Sequence, residues 1–560
     1  MAPKEEEEEQ DDVDVDQLPD MLAHLPTKAR KNAKAKESIK QPSVVTDEPL
    51  SVVSFTKGLF IFDNHKMEPG EVYDYDKSTP LGEGGYGIVY KATHRVTGAV
   101  RAMKQISKRR VKDLPALRAE IEFMKRFDHP NIVKLYETFE DKQHVFLVME
   151  CCEGGEVLEK LVSKGSPCPG LQEPEVGHVM RQTFRAVRYL HSHGVAHRDL
   201  KLENMLLVRK GVGCDETPVK VIDFGLAKRV PPEKLTEQKG TKWFLAPELL
   251  DGKPYGIEVD MWACGVIMFM LLSGMPPFYH KANPNDEEAT YDAICSAPLK
   301  FPAPKWKHRS AGAKALIRNL LNRDVERRMT AVQALEDQWL NEVAPKPYNH
   351  PIGAEDLENL RSFFHKKMLA QASFEVIVLR VAERAIKQWK DLFLTIDEKG
   401  MGAISADALA HALKDAGIHD TAAAKEVLEL MRTREKPLNY TEFLAAAMDK
   451  KELIKPEYCR AAFRVFDRNM DGKLDADELA IVFGDDAGAT PRGTSTSEMM
   501  KRLGIEGDML TYNDYCTMVG LHGDPGQPFV ADDQTRTRLS QKQAVGTAGG
   551  TSGCTACSIL

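Results

Sequence analysis

A fixed order of short motifs between Gly82 and Glu248 constrains this chain more than any other feature. Gly82-Glu83-Gly84-Gly85-Tyr86-Gly87-Ile88-Val89 forms a G-x-G-x-x-G-x-V pattern. Glycines let a backbone turn lie against phosphate oxygens, where a Cβ would intrude. The pattern alone is weak, because a dinucleotide-binding fold also shows it. That fold needs a helix straight after the glycines and an acidic residue about 20 positions on. Here Ile88-Val89-Tyr90 continues as a strand and leads to Ala102-Met103-Lys104, which predicts a hairpin with a lysine on the next strand. Glu120 follows in a helical stretch, placed to pair with Lys104 and hold it against the α- and β-phosphates.

His197-Arg198-Asp199-Leu200-Lys201-Leu202-Glu203-Asn204 comes next, then Asp223-Phe224-Gly225 and Ala246-Pro247-Glu248. Phosphoryl transfer is mostly positioning and charge neutralisation, and each residue answers one of those needs. Asp199 can orient an attacking hydroxyl and accept its proton, and Lys201 can neutralise the γ-phosphate. Asn204 and Asp223 are oxygen ligands of the kind Mg²⁺ prefers beside phosphate oxygens. Any one tripeptide arises by chance; the ordered series does not.

These residues make the chain resemble the eukaryotic protein kinases over about residues 75 to 340. The resemblance implies a bilobal α+β fold, a small β-rich lobe before a larger helical one, with ATP and Mg²⁺ as cofactors. It implies a nucleotide site at Leu81, Gly82, Glu83, Gly84, Gly85, Tyr86, Gly87, Ile88, Val89, Ala102 and Lys104. Met149 then guards the back of the adenine pocket, and Glu150 to Cys152 form the hinge, with Glu156 beyond. Asp260 would brace the catalytic loop and Arg328 would pair with Glu248. Lys201, and Thr241 after Gly240, match the serine/threonine pattern. Glu156 and Glu203 match positions that face an arginine three residues before the target, so substrates rich in basic residues are expected. Arg198 precedes Asp199, an arrangement that often needs a phosphate on the activation loop. Glu237, three before Gly240, is expected to stand in for that phosphate.

Residues 391 to 520 carry an internal repeat. Ile404, Leu438, Leu474 and Leu510 are separated by 34, 36 and 36 residues. Four positions after each stand Ala408, Glu442, Glu478 and Asp514, then at once Leu409, Phe443, Leu479 and Tyr515. Four coincidences in register predict a duplicated helix–loop–helix. In the third repeat Asp467, Asn469 and Asp471 supply side-chain oxygens and Lys473 a carbonyl. Asp475 acts directly or through water, Glu478 binds bidentately, and Gly472 makes the turn, as in an EF-hand calcium loop. The other three depart from it. Lys399, Met401 and Ala408 replace ligands in the first, Met431, Thr433 and Glu435 in the second, and Leu503, Ile505 and Gly507 in the fourth. One functional Ca²⁺ site is expected, with the other repeats as structural partners.

Between kinase and repeats, Leu357, Leu360, Phe363, Phe364, Met368 and Leu369 recur at helical spacing beside His365, Lys366 and Lys367. They predict one basic amphipathic helix in a junction spanning 341–390. Kinase, junction and an all-α EF-hand (calmodulin-like) module, in that order, resemble the calcium-dependent protein kinases of plants and protists. In that family the junction helix holds the kinase inactive until calcium makes the module grasp it. Here that helix would lie within about 355 to 390. The rival readings are a calcium-indifferent kinase whose repeats only dock, and a scaffold; intact Lys104, Asp199 and Asp223 argue against the scaffold.

A hydrophobic content of 42% and a charged content of 29% fit a globular chain of several units. The net charge of −8 argues against a general nucleic-acid binder. Ten scattered cysteines form no secreted disulfide framework, and the longest apolar run, Met261 to Leu272, is too short to cross a bilayer. Glu5 to Asp16 is acidic and Lys28 to Lys40 basic, so residues 1–50 read as a disordered tail before an extension at 51–74. The acidic start does not read as a signal peptide, and with Ala2 at the second position no N-myristoylation is expected. Residues 521–560 read as a flexible tail ending Cys554-Thr-Ala-Cys557-Ser-Ile-Leu560. Cys557 fits a prenylation pattern, and one prenyl chain anchors weakly without a second acyl chain on Cys554. A cytoplasmic monomer with peripheral membrane attachment is expected.

Overall fold

The computed structural model describes residues 62–522 apart from 65–66, 85–86, 163–168, 280–285, 345–350, 435, 484–499, 501–504, 506 and 508. The charged blocks before residue 62, and Cys554 and Cys557, lie outside the described residues. The chain divides into two compact units, and the boundary falls between Cys151 and Cys152, within the expected hinge. One unit holds the described residues from Cys152 to Pro345. The other joins those up to Cys151 to those after Lys346.

In the second of these, six strands form one sheet. They are β1 (Phe62–Asn64), β2 (Tyr73–Gly84), β3 (Gly87–His94), β4 (Val100–Ser107), β5 (Leu135–Glu140) and β6 (His144–Glu150), in the order β1-β5-β6-β4-β3-β2. Only β1–β5 is parallel; the rest pair antiparallel, as hairpin-linked strands do. Tyr90, Ala92 and His94 are buried at every second position, so they share a face. That face joins Met103, Phe139, Phe146 and Val148 in a core that also takes Met67, Val72 and Tyr73. Within the expected extension, β1 adds a strand to the sheet, and Met67, Val72 and Tyr73 add side chains to its core.

The unit from Cys152 to Pro345 is mainly helical. Glu173–Ser192 begins with a capping box, in which the Gln172 amide donates to Glu175 Oε2 at 2.9 Å. The Met261–Leu272 run lies in the helix Glu258–Ser273, which is buried on nearly every face and stops at Gly274 with φ +74°. A helix apolar all round belongs at a domain centre, and this one is too short to span a bilayer. Among the described residues no helix is long and apolar enough to cross a membrane.

The described parts of the four repeats are joined two by two through short antiparallel strands. Ile404 pairs with Leu438, and Leu474 with Leu510, so the four positions aligned in the sequence are the strand partners. Leu409, Phe443, Leu479 and Tyr515 are all fully buried. The junction differs from the single helix expected. It is two helices, Ala354–Phe364 and Met368–Val378, before Glu383–Ile396 of the first repeat. The break at His365–Lys367 has a local cause. Gln371 Nε2 donates to the carbonyls of Phe363, Phe364 and Lys366 at 3.1, 3.3 and 3.0 Å, which ends the first helix by satisfying its carbonyls. Leu357, Leu360, Phe363 and Leu369 are buried as the spacing predicts, in one core with the helices of the repeats, whereas Met368 is 40% exposed.

Candidate active site and calcium loop

The glycine hairpin and Lys104 belong to the sheet. Lys104 sits mid-strand on β4, opposite Val89 on β3 and Leu147 on β6, and the next residue pair but one is Ala102 with Met149. Gly84 pairs with Gly87 at the end of the hairpin, and Gly85 and Tyr86 lie outside the described residues. The glycines differ in what they meet. A Cβ on Gly87 would lie 1.9 Å from the Gln105 carbonyl oxygen, whereas one on Gly82 meets nothing within 4 Å. Gly87 is thus demanded by the neighbouring strand, and Gly82 leaves open backbone of the kind a phosphate can approach. Leu81 is half exposed beside it. Glu120 is half-buried on the helix Leu114–Arg126, whose first turn is capped by Asp113.

The catalytic loop belongs to the helical unit and is held from below by Asp260. The amides of His197 and Arg198 donate to its two carboxylate oxygens at 2.9 Å each, and His191 Nε2 lies 2.9 Å from Oδ2. Burial alone would raise the Asp260 carboxyl, but the His191 hydrogen bond and the His191 and His197 charges bring it below its usual value. His191, His193 and His197 do not converge on a metal: His193 Nδ1 turns to the Tyr189 carbonyl, and the His197 ring packs on Phe224.

Arg198 has φ +66°, a left-handed conformation that costs energy without glycine. The turn presents Asp199. Lys201 Nζ donates to Asp199 Oδ2 at 2.6 Å and to Thr241 Oγ1 at 2.9 Å, while Thr241 Oγ1 donates to Asp199 Oδ1 at 2.5 Å. A hydroxyl on Asp199 Oδ1 has the geometry of proton acceptance from an alcohol. Asn204 Nδ2 is tied to the Asp199 carbonyl at 2.9 Å, and Asn204 Oδ1 is buried with no partner among the described residues. Asp223, at φ +67°, accepts a long 3.4 Å contact from the Gly225 amide on Oδ1. A fixed amide with an unmatched buried oxygen, and a nearby carboxylate, suit a hard cation. Mg²⁺ there would neutralise the charge on phosphate oxygens.

Around this loop the expected braces are present. Arg328 forms a two-pronged pair with Glu248, 2.6 and 2.8 Å, with no side-chain exposure of the arginine. Glu237 accepts from Arg198 at 3.1 Å and Lys228 at 3.2 Å, with Lys239 at 3.5 Å. Partial burial would raise its carboxyl, but the Arg198 and Lys228 hydrogen bonds and lysine charges bring it to about 2. Tyr255, which the sequence did not mark, completes the knot: its hydroxyl donates to the Glu237 carbonyl at 2.6 Å and accepts from Arg198 at 3.1 Å. Glu156 bridges by backbone to Leu206, three residues after Glu203, so the two glutamates start from neighbouring backbone; Glu203 itself is buried.

In the third repeat Asp467 Oδ2 accepts from the Gly472 amide at 2.9 Å, and Gly472 has φ +82°. Asp471 Oδ1 accepts from the Lys473 amide, and Asp475 Oδ1 caps Glu478. Glu478 Oε1 reaches back to the Arg468 and Asn469 amides at 2.8 and 3.0 Å. Among the described residues no three acidic, His or Cys side chains converge into a ready-made metal cluster; these carboxylates are held by the loop's own amides. Burial pushes Asp467 up to about 6 and Glu478 up to about 7, the direction expected of carboxylates crowded together. Five oxygen-bearing side chains on one glycine-turned loop fit Ca²⁺ by donor chemistry. The second repeat is different in kind. There Arg434 at the fourth loop position forms a short ion pair with Glu442, so a guanidinium fills the place a cation would take. Asp397 in the first repeat is spent on the Met401 and Gly402 amides. Asp514 in the fourth is spent on the Thr511 cap.

Residues 75–340 match the family described as protein kinase domain. Calcium-dependent protein kinase 3 of Plasmodium berghei is 32% identical over 481 residues, 84% of this chain and 82% of that protein. Calcium-dependent protein kinase 7 of Arabidopsis thaliana is 32% identical over 457 residues, 80% of this chain and 82% of that one. This chain belongs to the calcium-dependent protein kinase family. It is a serine/threonine protein kinase, and a scaffold without catalysis is disfavoured by the complete Asp199, Lys201, Asn204 and Asp223 set. In the kinase, Asp199 is positioned by Asp260 through the loop amides and by Lys201 and Thr241 through its own oxygens. Its carboxylate can therefore meet an incoming hydroxyl without first reorganising.

Proposed function

We propose that the kinase transfers the γ-phosphoryl group of Mg·ATP to protein serine or threonine hydroxyls, under control of Ca²⁺ at the loop Asp467–Glu478. The unmatched buried oxygen of Asn204, beside an Asp199 already engaged with a threonine hydroxyl, carries the catalytic half of this reading. Lys104 and the hairpin from Gly82 to Val89 would hold the nucleotide phosphates, Asn204 and Asp223 the Mg²⁺, and Asp199 would accept the hydroxyl proton. The single intact calcium loop, with its partners closed by Arg434 and by local caps, supports regulation through one ion rather than four. The burial of the junction in the core of the repeats supports a module that grips it. Basic residues near the target site fit Glu156 and Glu203, and an arginine-scanned peptide array tests them. Attachment through Cys557, with Cys554 as second anchor, rests on the tail sequence; Cys557→Ser should move the protein from membrane to soluble fractions.

Labelling of a basic peptide from radioactive ATP, with calcium or with chelator, tests the whole. Asp199→Asn should abolish labelling under both conditions. Glu478→Gln should shift or remove the calcium response while chelated basal activity stays. An active wild type indifferent to calcium would leave the kinase standing and remove its regulation.

A further inference from the structure

The second repeat ties its two helices together with a side chain. Its entering helix, Ala422–Thr433, is followed at once by Arg434, and its exit helix, Tyr440–Ala447, carries Glu442 in the first turn. In a calcium loop the last glutamate joins those two helices through the ion. Here Arg434 Nη2 donates directly to Glu442 Oε1, and Asn439 Nδ2 lies 3.4 Å from Oε2, so both carboxylate oxygens are engaged by groups of the chain. The Glu442 side chain is 9% exposed and that of Arg434 29%, which keeps the pair largely out of reach of screening salt. Glu478, the counterpart in the third repeat, accepts from the backbone amides of Arg468, Asn469 and Asp475, neutral donors that an ion can displace.

Arg434 also meets the junction. Its guanidinium carbon lies 5.2 Å from the centre of the Phe364 ring, at the end of the first junction helix, Ala354–Phe364. A cation over an aromatic face is attracted by the ring quadrupole. The second repeat touches the end of that helix at further points. His365 Nε2 lies 2.7 Å from Glu426 Oε1, and Arg361 Nη1 lies 3.5 Å from Glu426 Oε2, on the entering helix. Asn359 Nδ2 donates to the Ala447 carbonyl at 3.0 Å, at the end of the exit helix. Lys450, just beyond, gives its ammonium to the carbonyls of Ala445, Ala446 and Met448 and lies 5.6 Å above the Phe363 ring. Leu357, Leu360 and Phe363 are buried in the core shared with these helices. All of these contacts are made by groups of the chain itself. A guanidinium fixed to the backbone is neither diluted away nor captured by a chelator, and its planar fork matches a carboxylate as a bound ion would.

Building on calcium control through the loop Asp467–Glu478, we propose that Arg434 is a built-in substitute for the calcium ion of the second repeat. It keeps that repeat closed on the junction helix Ala354–Phe364 at every calcium level, so calcium reaches the junction through the third loop alone. The test is amide hydrogen exchange of the full chain, with calcium and with chelator. In the wild type, the amides of residues 358–364 should exchange less than tenfold faster in chelator than in calcium, while those of residues 472–478 slow when calcium is added. Arg434→Met keeps much of the side-chain length and removes the charge, and in chelator it should speed exchange at 358–364 about tenfold or more, the effect of losing one charged hydrogen bond. Arg434→Lys keeps the charge and should stay closer to the wild type. Unchanged exchange in the helix Glu258–Ser273, which lies in the other unit, shows that each variant is folded. Wild-type junction amides that exchange tenfold or more faster in chelator overturn the substitution, and that comparison needs no variant. Equal exchange at 358–364 in the wild type and Arg434→Met, or in Arg434→Met and Arg434→Lys, overturns it as well. Amides at 472–478 that ignore calcium would instead remove the calcium reading, while wild type against Arg434→Met in chelator still decides the role of Arg434.

Discussion

At the scale of single residues, charge pairs decide how this kinase is poised. Glu237 holds Arg198, whose backbone is already strained at φ +66°, so losing the carboxylate frees the residue next to Asp199. Glu237→Ala should lower kcat about tenfold with little change in KM for ATP, the effect of removing a charged hydrogen bond from a positioning group. Unchanged activity would mean the pair is ornamental. Because the Glu237 carboxyl is lowered to about 2, its contribution is present above the ordinary glutamate value and is lost only as pH falls toward 2. A phosphate on the activation loop, with a second pKa near 6, would lose charge in the range where Glu237 keeps it. The pH–rate profile of unphosphorylated protein should therefore show no fall assignable to this anchor between about pH 5.5 and 8. His94 acts in the same direction but in a higher pH window. Burial lowers it to about 4, so the unfolded chain binds the extra proton between that value and the ordinary one near 6.5. Stability should drop as pH falls through that window, by up to about 3 kcal/mol, and His94→Gln should remove this component from urea titrations at pH 7 and 4.5.

At the scale of elements, the glycine hairpin separates two reasons for one residue type. Gly87→Ala drives a methyl into the β4 backbone at Gln105, and should destabilise the sheet by about 2 kcal/mol or more in denaturant melts. Gly82→Ala meets nothing, so stability should hold while KM for ATP rises. A loss of stability of equal size in both variants would refute the distinction. The junction shows the same lesson from another side. The apolar spacing through Leu357, Leu360, Phe363 and Leu369 was legible in the sequence, and all four are buried. The break was not, because it depends on one amide, Gln371, folding back onto three carbonyls. Helical periodicity continues through a capped break as readily as through an unbroken helix. The repeats were legible for a stronger reason: a strand partner and a buried apolar residue recur at a fixed spacing in every copy.

At the scale of the molecule, the sheet and the repeats form one compact unit although some 200 residues of the other unit separate them in sequence. Thr441 of the second repeat donates through its hydroxyl and its amide to Asp128 at 2.5 and 3.0 Å, and Arg380 pairs with Glu137. Met470, inside the calcium loop at φ +60°, packs into the core with Met67, Val72, Met103 and Phe139. Met470→Ala should cost about 2–3 kcal/mol of stability, while the calcium affinity of the loop, measured by titration, stays within about twofold because Met470 supplies no ligand. A large loss of calcium affinity with unchanged stability would show that the residue serves the loop and not the lobe.

The catalytic set, the nucleotide hairpin, the single calcium loop and the four-fold repeat could be read from residue order alone. Each is a local pattern whose chemistry needs particular residue types at short, fixed spacings, and such needs leave marks in neighbouring letters. The tertiary structure alone decided that Tyr255 locks Glu237 to Arg198, that Arg434 closes the second loop, and that Arg380, Arg460 and Arg464 gather round Glu137. Apart from Arg434 and Glu442, which share one loop, those are meetings of side chains tens or hundreds of positions apart, made by packing, and no spacing rule along the chain records which buried charge will find which partner.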